Sequence, residues 1–183
     1  GADVATIKNK IEIGFILHPA TWGQGFAREA LTCVIERGFR KHRLGTIVED
    51  IVLPNIPRLA REHFGAGQLE FFGARIHKQH PTKPDRMQEF DVIAAWPGAV
   101  LLNETKGGAM RPEYLTSFAA FIQSGDFFGF FPEYAGRRLI PVFSALALAE
   151  NDIRYLTKER IYALTMGDET MEIVNLTEMG SPR

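Results

Sequence analysis

An α/β fold with a mixed sheet flanked by helices is what this chain predicts, and three observations predict it. The apolar runs FDVIAA and AVLLNETK flank Trp96-Pro97-Gly98 and read as buried strands folded back on one another. Downstream, segments with helical spacing alternate with short apolar runs, in the order helix, strand, helix, strands. The composition is that of a folded domain, with 45% of the 183 residues hydrophobic and 23% charged.

Taken in order, IEIGFIL at residues 11–17 reads as a strand, followed by a glycine-rich turn and an amphipathic helix carrying Ala30, Leu31, Val34, Ile35 and Phe39 near helical spacing. Together these make an N-terminal strand-helix appendage. Pro54 and Pro57 interrupt the helical pattern of residues 50–64, which places a short turn first and a helix from about Pro57. Residues 69–76 read as a strand. Residues 75–86, RIHKQHPTKPDR, read as a polar connector with two open meanings: a basic surface that neutralises phosphates, or a solvated loop. His77 and His80 lack a third ligand nearby, so zinc is not expected there.

After the two apolar strands, Pro112 and Glu113 open a helix running to Phe131 and broken near Gly125 and Asp126. The cluster FFGFF at 127–131 suits core packing, with base stacking as the other reading. Residues 139–148 form an apolar strand in which Pro141 argues for an edge or a strand beginning. Residues 152–160 read as a helix, 161–166 and 171–174 as strands, and the tail after Asn175 as mobile.

The chemistry concentrates in EFDVIAAWPGAVLLNETKGG at residues 89–108. Side chains alternate along a strand, so Glu104 and Lys106 share one face and Thr105 takes the other. A turn centred on Pro97 and Gly98 puts Asp91 opposite Glu104, although Pro-Gly favours a type II turn that splays tight hairpins. Such a grouping suits a divalent cation held by Asp91, Glu104 and the backbone carbonyl of Thr105, with places left for water and a phosphate oxygen. Lys106 would position the attacking water or offset charge on the phosphoryl group. The alternative is an ordinary hairpin with a solvated ion pair. Against it, the polar residues interrupt runs that look buried, where a carboxylate pair is costly without a cation.

The series Asp91, then Glu104-x-Lys106, resembles the PD-(D/E)xK nuclease superfamily, and the surroundings resemble an uncharacterised bacterial branch of it. The likeness runs from VEDIVLPNIPRLAREHFG at residue 48, through EFDVIA and NETK, to FFPEYAGRRLIPVFSALAL and GDETMEIVN. It implies a restriction-endonuclease-like fold, Mg2+ or Mn2+ as cofactor, and hydrolysis of phosphodiester bonds in nucleic acid, DNA before RNA. An acidic residue on the preceding helix often joins the metal site in that superfamily, which makes Glu49 the matching candidate beside its reading as an exposed helix carboxylate. One departure concerns Arg160, where the branch usually has a glycine before the strand.

Residues 1–47 are similar to a different family. EIGFIL followed by HPATWGQGFAREAL resembles the central motif of GCN5-related N-acetyltransferases, whose turn and helix start receive the coenzyme A pyrophosphate on backbone N-H groups. Gln24, Gly25, Phe26 and Ala27 occupy the matching turn. Only ten residues precede Ile11, too few for the family's earlier elements, so a fragment is expected rather than a working acetyltransferase. The domain expectation is therefore 1–47 as this fragment, serving packing or homo-oligomer contact, and 48–183 as the nuclease-like domain.

A formal net charge of −1 means that a nucleic-acid partner must be met by local basic surface. A single cysteine, Cys33, excludes an internal disulfide and a cysteine zinc cluster. With no leader or membrane span in the residues, a cytoplasmic location is expected. Three function classes stand: a metal-dependent nuclease, a non-catalytic assembly or nucleic-acid-binding protein on a nuclease fold, and an acyl-CoA-binding remnant.

Overall fold

The computed structural model describes residues 2–7, 10–15, 45–167 and 170–180, and the chain divides into two compact units, Gly1–Leu44 and Gly45–Arg183. In the first unit β1 (Ala2–Ile7) and β2 (Lys10–Phe15) form an antiparallel pair, with Ala2 opposite Phe15 and Ile7 opposite Lys10. The residues ahead of the expected strand thus supply its partner. The expected turn at Gln24, Gly25, Phe26 and Ala27, and the helix after it, lie outside the described residues.

The second unit opens with α1 (Gly45–Val52) and α2 (Ile56–Phe64), joined by a 3-10 turn at Leu53–Asn55 where the prolines interrupt the helix. Six strands follow and lie in the sheet in chain order: β3 (Phe71–His80), β4 (Lys83–Trp96), β5 (Ala99–Lys106), β6 (Arg138–Ala145), β7 (Tyr162–Met166) and β8 (Met171–Ile173). The first three are antiparallel, β6 and β7 continue in parallel, and β8 closes antiparallel. Parallel neighbours need a crossover. Here α3 (Pro112–Ser124) and α4 (Asp126–Phe130) connect β5 to β6, and α5 (Glu150–Lys158) connects β6 to β7. A final turn of helix, α6 (Leu176–Met179), follows β8. The expected α/β class with a mixed, helix-flanked sheet is what the structure has.

Both faces of the sheet are covered, which explains why its central strands are continuous apolar runs. Ile93, Ala95, Val100, Leu102, Phe143 and Ala163 share a core with Phe118, Phe127, Phe130, Phe131 and Leu156 of the crossover helices and the loop after α4. The alternate residues Val92, Ala94, Leu101, Ile140 and Val142 are buried too. On their side Phe64 of α2 meets Tyr162 edge-on at 4.7 Å.

Three expectations are corrected. The connector at 75–86 is a strand hairpin, since β3 runs to His80 and β4 restarts at Lys83. Two of its cations are paired: Lys78 with Glu133 at 3.2 Å and Arg86 with Asp126 at 3.0 Å. Each also lies over a ring, Lys78 over Phe131 and Arg86 over Phe130. Pro141 sits inside a central strand. It is tolerated because β7 begins its pairing only at Val142, leaving β5 as the sole neighbour at Pro141. The tail is ordered through α6, because Asn175 is fully buried, accepting from the Ala163 N-H and donating to Thr157 and Ile161. The helix at 112–131 divides in two at the expected break near Gly125 and Asp126. Gly125, at φ +71, takes the left-handed conformation that ends α3 and redirects the chain into α4, which seats Phe127 and Phe130 in the core.

Candidate functional site

The site is built on the β4–β5 hairpin. Trp96 pairs with Ala99, so Pro97 and Gly98 form the two-residue turn, with Gly98 at φ +85 as a type II turn requires. The ladder holds from there to Val92 opposite Asn103. One residue further in the same register, Asp91 comes beside Glu104. The flat ladder stops at that point, and the Asp91 carboxylate instead accepts the Thr105 backbone N-H at 2.6 Å.

The sequence reading assumed unbroken alternation through Asp91. The structure interrupts it: Phe90 and Ile93, three residues apart, both enter the core under α3 and α4. Across the sheet, pairing of β3 with β4 lapses between Ala74–Val92 and Ile76–Phe90, at Arg75 and Asp91. Arg75 has φ +51, unusual for a residue with a side chain. The carboxylate therefore sits in a local distortion of the sheet.

Lys106 closes the group. Its ammonium pairs with the Glu104 carboxylate and lies 5.6 Å from the centre of the Tyr114 ring at the start of α3. Glu104 and Lys106 are about one-quarter exposed, at 24% and 28%. Burial and the Glu104 charge push the Asp91 carboxyl up to about 7, against the Thr105 N-H and Lys106, with Glu49 adding to the rise. Burial works against the Lys106 ammonium, yet the Glu104 charge and hydrogen bond, with Asp91 behind them, hold its pKa above the usual lysine value. The site thus contains a carboxyl that resists ionisation and an amine that keeps its proton.

Glu49, on α1, is near enough to act on Asp91. Its own oxygen is held by Arg75 at 2.6 Å, and the same guanidinium takes Asp50 at 2.9 Å. Among the described residues no group of three or more His, Cys, Asp or Glu side chains is arranged to hold a metal ion. The donor chemistry still suits Mg2+, which commonly takes only one or two protein carboxylates and keeps waters and substrate oxygens for the rest.

Sequence reasoning missed the support beneath the hairpin. Ser144 of β6 donates to the Asn103 side-chain oxygen, and the Asn103 amide donates to Thr105 Oγ1 at 2.8 Å. All three are buried, Asn103 and Ser144 completely. Buried polar groups are kept only when bonded. This chain of bonds fixes Thr105, whose N-H orients Asp91. The available signal was a polar residue inside each of two apolar runs, Asn103 in AVLLNETK and Ser144 in PVFSALA.

Comparison with known proteins gives two kinds of likeness. Residues 3–60 match the Acetyltransferase (GNAT) domain family, a stretch that covers well under half of the chain and extends through α1 into α2. No curated protein matches in sequence. Among solved structures, Can2 from Sulfobacillus thermosulfidooxidans, in complex with cyclic tetra-adenylate, aligns at a TM-score of 0.46 and 14% identity, over 65% of this chain and 31% of that one. A repair endonuclease from Pyrococcus abyssi aligns at 0.42 and 16%, over 68% of this chain and 47% of that one. The chain thus spans less than half the length of either structure.

Proposed function

We propose that this chain is a divalent-metal-dependent nuclease that hydrolyses phosphodiester bonds in DNA, with Asp91, Glu104 and Lys106 at its centre. The observation that carries the reading is the meeting of these three residues in one part-buried patch, where burial, and after it the Glu104 charge, push the Asp91 carboxyl up to about 7. Repulsion of that kind is what a cation relieves. A Mg2+ or Mn2+ ion held there would activate water and offset charge on the phosphoryl group. Asp91 and Glu104 would offer carboxylate oxygens, the Thr105 carbonyl a further one, and Glu49 an outer acid once released by Arg75. The Thr105 N-H keeps Asp91 aimed. Lys106, protonated, orients the attacking water or a phosphate oxygen.

A second reading is a non-catalytic nucleic-acid-binding protein on the same fold. It is favoured by the cations that already occupy the acids, Lys106 on Glu104 and Arg75 on Glu49. The remaining reading, an acyl-CoA-binding remnant, belongs to the N-terminal unit. One assay separates the first two. With Mg2+ or Mn2+, the wild type should cut plasmid or linear DNA, Asp91→Ala and Glu104→Ala should lose cleavage, and Lys106→Ala should fall about 100-fold or more while keeping a metal-induced rise in melting temperature. Absence of cleavage on any DNA or RNA, with no metal-induced shift, leaves the binding reading in its place.

A further inference from the structure

Lys106 is not the only cation at the Tyr114 ring. The loop 107–110 leaves β5 and brings the chain back to α3, so that Arg111, immediately before the helix, lies over the same Tyr114 ring, 6.0 Å from its centre. Two cations from opposite ends of one short loop converge on one aromatic ring of the site. Their electrostatic situations differ. Lys106 is matched by Glu104. Arg111 is exposed and, among the described residues, has no carboxylate partner. Arg58, Arg75, Lys78, Arg86 and Arg137, by contrast, each hold an acid.

We propose that Arg111 is the phosphate-binding residue of this site, gripping the DNA backbone next to the bond to be cut, and that Tyr114 is the positioning residue that holds Arg111 and Lys106 together. The inference rests on the nuclease reading above and names what receives the substrate there. A guanidinium presents paired donors that fit two phosphate oxygens, and a ring beneath it limits the side chain's freedom without consuming its charge. With a net charge of −1 the protein has no general attraction for a polyanion, so a local uncompensated cation matters. Arg111 contacts the strand and not the reacting atoms, so its loss weakens binding and raises KM more than it lowers kcat.

The test measures binding apart from cleavage. Fluorescence anisotropy of a labelled single-stranded DNA oligonucleotide, in EDTA and over a series of salt concentrations, gives affinity and the slope of log affinity against log salt. Arg111→Gln should weaken binding about three- to tenfold and lower the slope by about 0.7, the loss of one phosphate contact to a single strand. Arg111→Lys should retain the slope. Tyr114→Phe should behave as wild type, and Tyr114→Leu as Arg111→Gln. A merely structural role would change melting but leave the salt slope alone. If Arg111→Gln binds with the wild-type slope while both proteins cleave with metal, this inference is overturned and the nuclease reading stands. If the wild type neither binds nor cleaves, the reading falls and the inference with it.

Discussion

Asp91 is a residue whose environment sets a measurable cost. Its folded pKa, about 7, lies above the ordinary 3.8 because burial and Glu104 disfavour the charge. Between about pH 4 and pH 7 the folded protein retains a proton that the unfolded chain has released, so stability falls as pH rises through this window and levels off above it. A shift of this size corresponds to a loss on the order of 2–4 kcal/mol without bound cation. Asp91→Asn, which still accepts the Thr105 N-H, should flatten the profile and melt higher than wild type at pH 8. Denaturant titrations at pH 5 and pH 8 measure this, and a wild type equally stable at both would contradict it.

Arg160 makes the complementary point about backbone. It adopts φ +60 just past the Glu159 cap of α5, the left-handed position where helices favour glycine. The strain costs about 1 kcal/mol. In return the Arg160 guanidinium donates to the Met179 carbonyl at 3.1 Å, tying α6 to the end of α5. Arg160→Gly should therefore be within about 1 kcal/mol of wild type, trading strain for a lost hydrogen bond, whereas Arg160→Ala loses the bond and keeps the strain. The expected order in chemical denaturation places alanine clearly below glycine.

Among the elements, α4 shows how tightly the antiparallel hairpin and the crossover helices are joined. His80, at the end of β3, is buried and meets the Phe130 ring edge-on at 4.9 Å. A Cβ added at Gly129 would lie 2.8 Å from His80 Nε2. Gly129→Ala should destabilise by about 1 kcal/mol despite the better helix former. In a His80→Ala background the same change should be neutral or stabilising, a sign reversal that a double-mutant cycle reads directly.

The elements also show what the sequence could and could not reveal. The β4–β5 hairpin was legible because two apolar runs flank an unmistakable turn, and Gly98 at φ +85 supplies the backbone that the turn needs. Of the β3–β4 hairpin only its first strand, at 69–76, was legible. Residues 77–88 are mostly polar and exposed, and only His80, against Phe130 of α4, is buried there, so no local apolar pattern marks them as strands. Within the candidate site, Asp91, Glu104 and Lys106 could be grouped from spacing alone. Asn103 and Ser144 could not, because their hydrogen bond joins β5 to β6 across a crossover that sequence spacing does not encode. Arg75 escaped notice for a similar reason: nothing in its neighbours announces φ +51.

At the scale of the molecule, the unit Gly45–Arg183 contains a full six-stranded sheet with its own covering helices. Residues 45–183 expressed alone should unfold in a single cooperative transition and keep whatever metal response the whole chain has. Circular dichroism melts with and without Mn2+ test this, and a non-cooperative melt would show that the N-terminal unit is needed for folding. The match to the acetyltransferase family runs into α1 and α2, whereas those helices belong to the second unit by their packing. Sequence likeness and structural partition thus disagree about where one part ends.

The distortion at Arg75 has a meaning for solubility as well. Within its sheet β3 is an outer strand, ten residues long, with Phe71 and Phe72 both partly exposed at its beginning. A straight strand of that length would be a template on which a neighbouring molecule could add its own backbone. Arg75 turns the chain through a left-handed step midway, and Lys78 sets a charge beyond it. An incoming strand therefore finds its run of hydrogen bonds cut in two, so the irregularity that accompanies Asp91 also discourages filament growth from the sheet's edge.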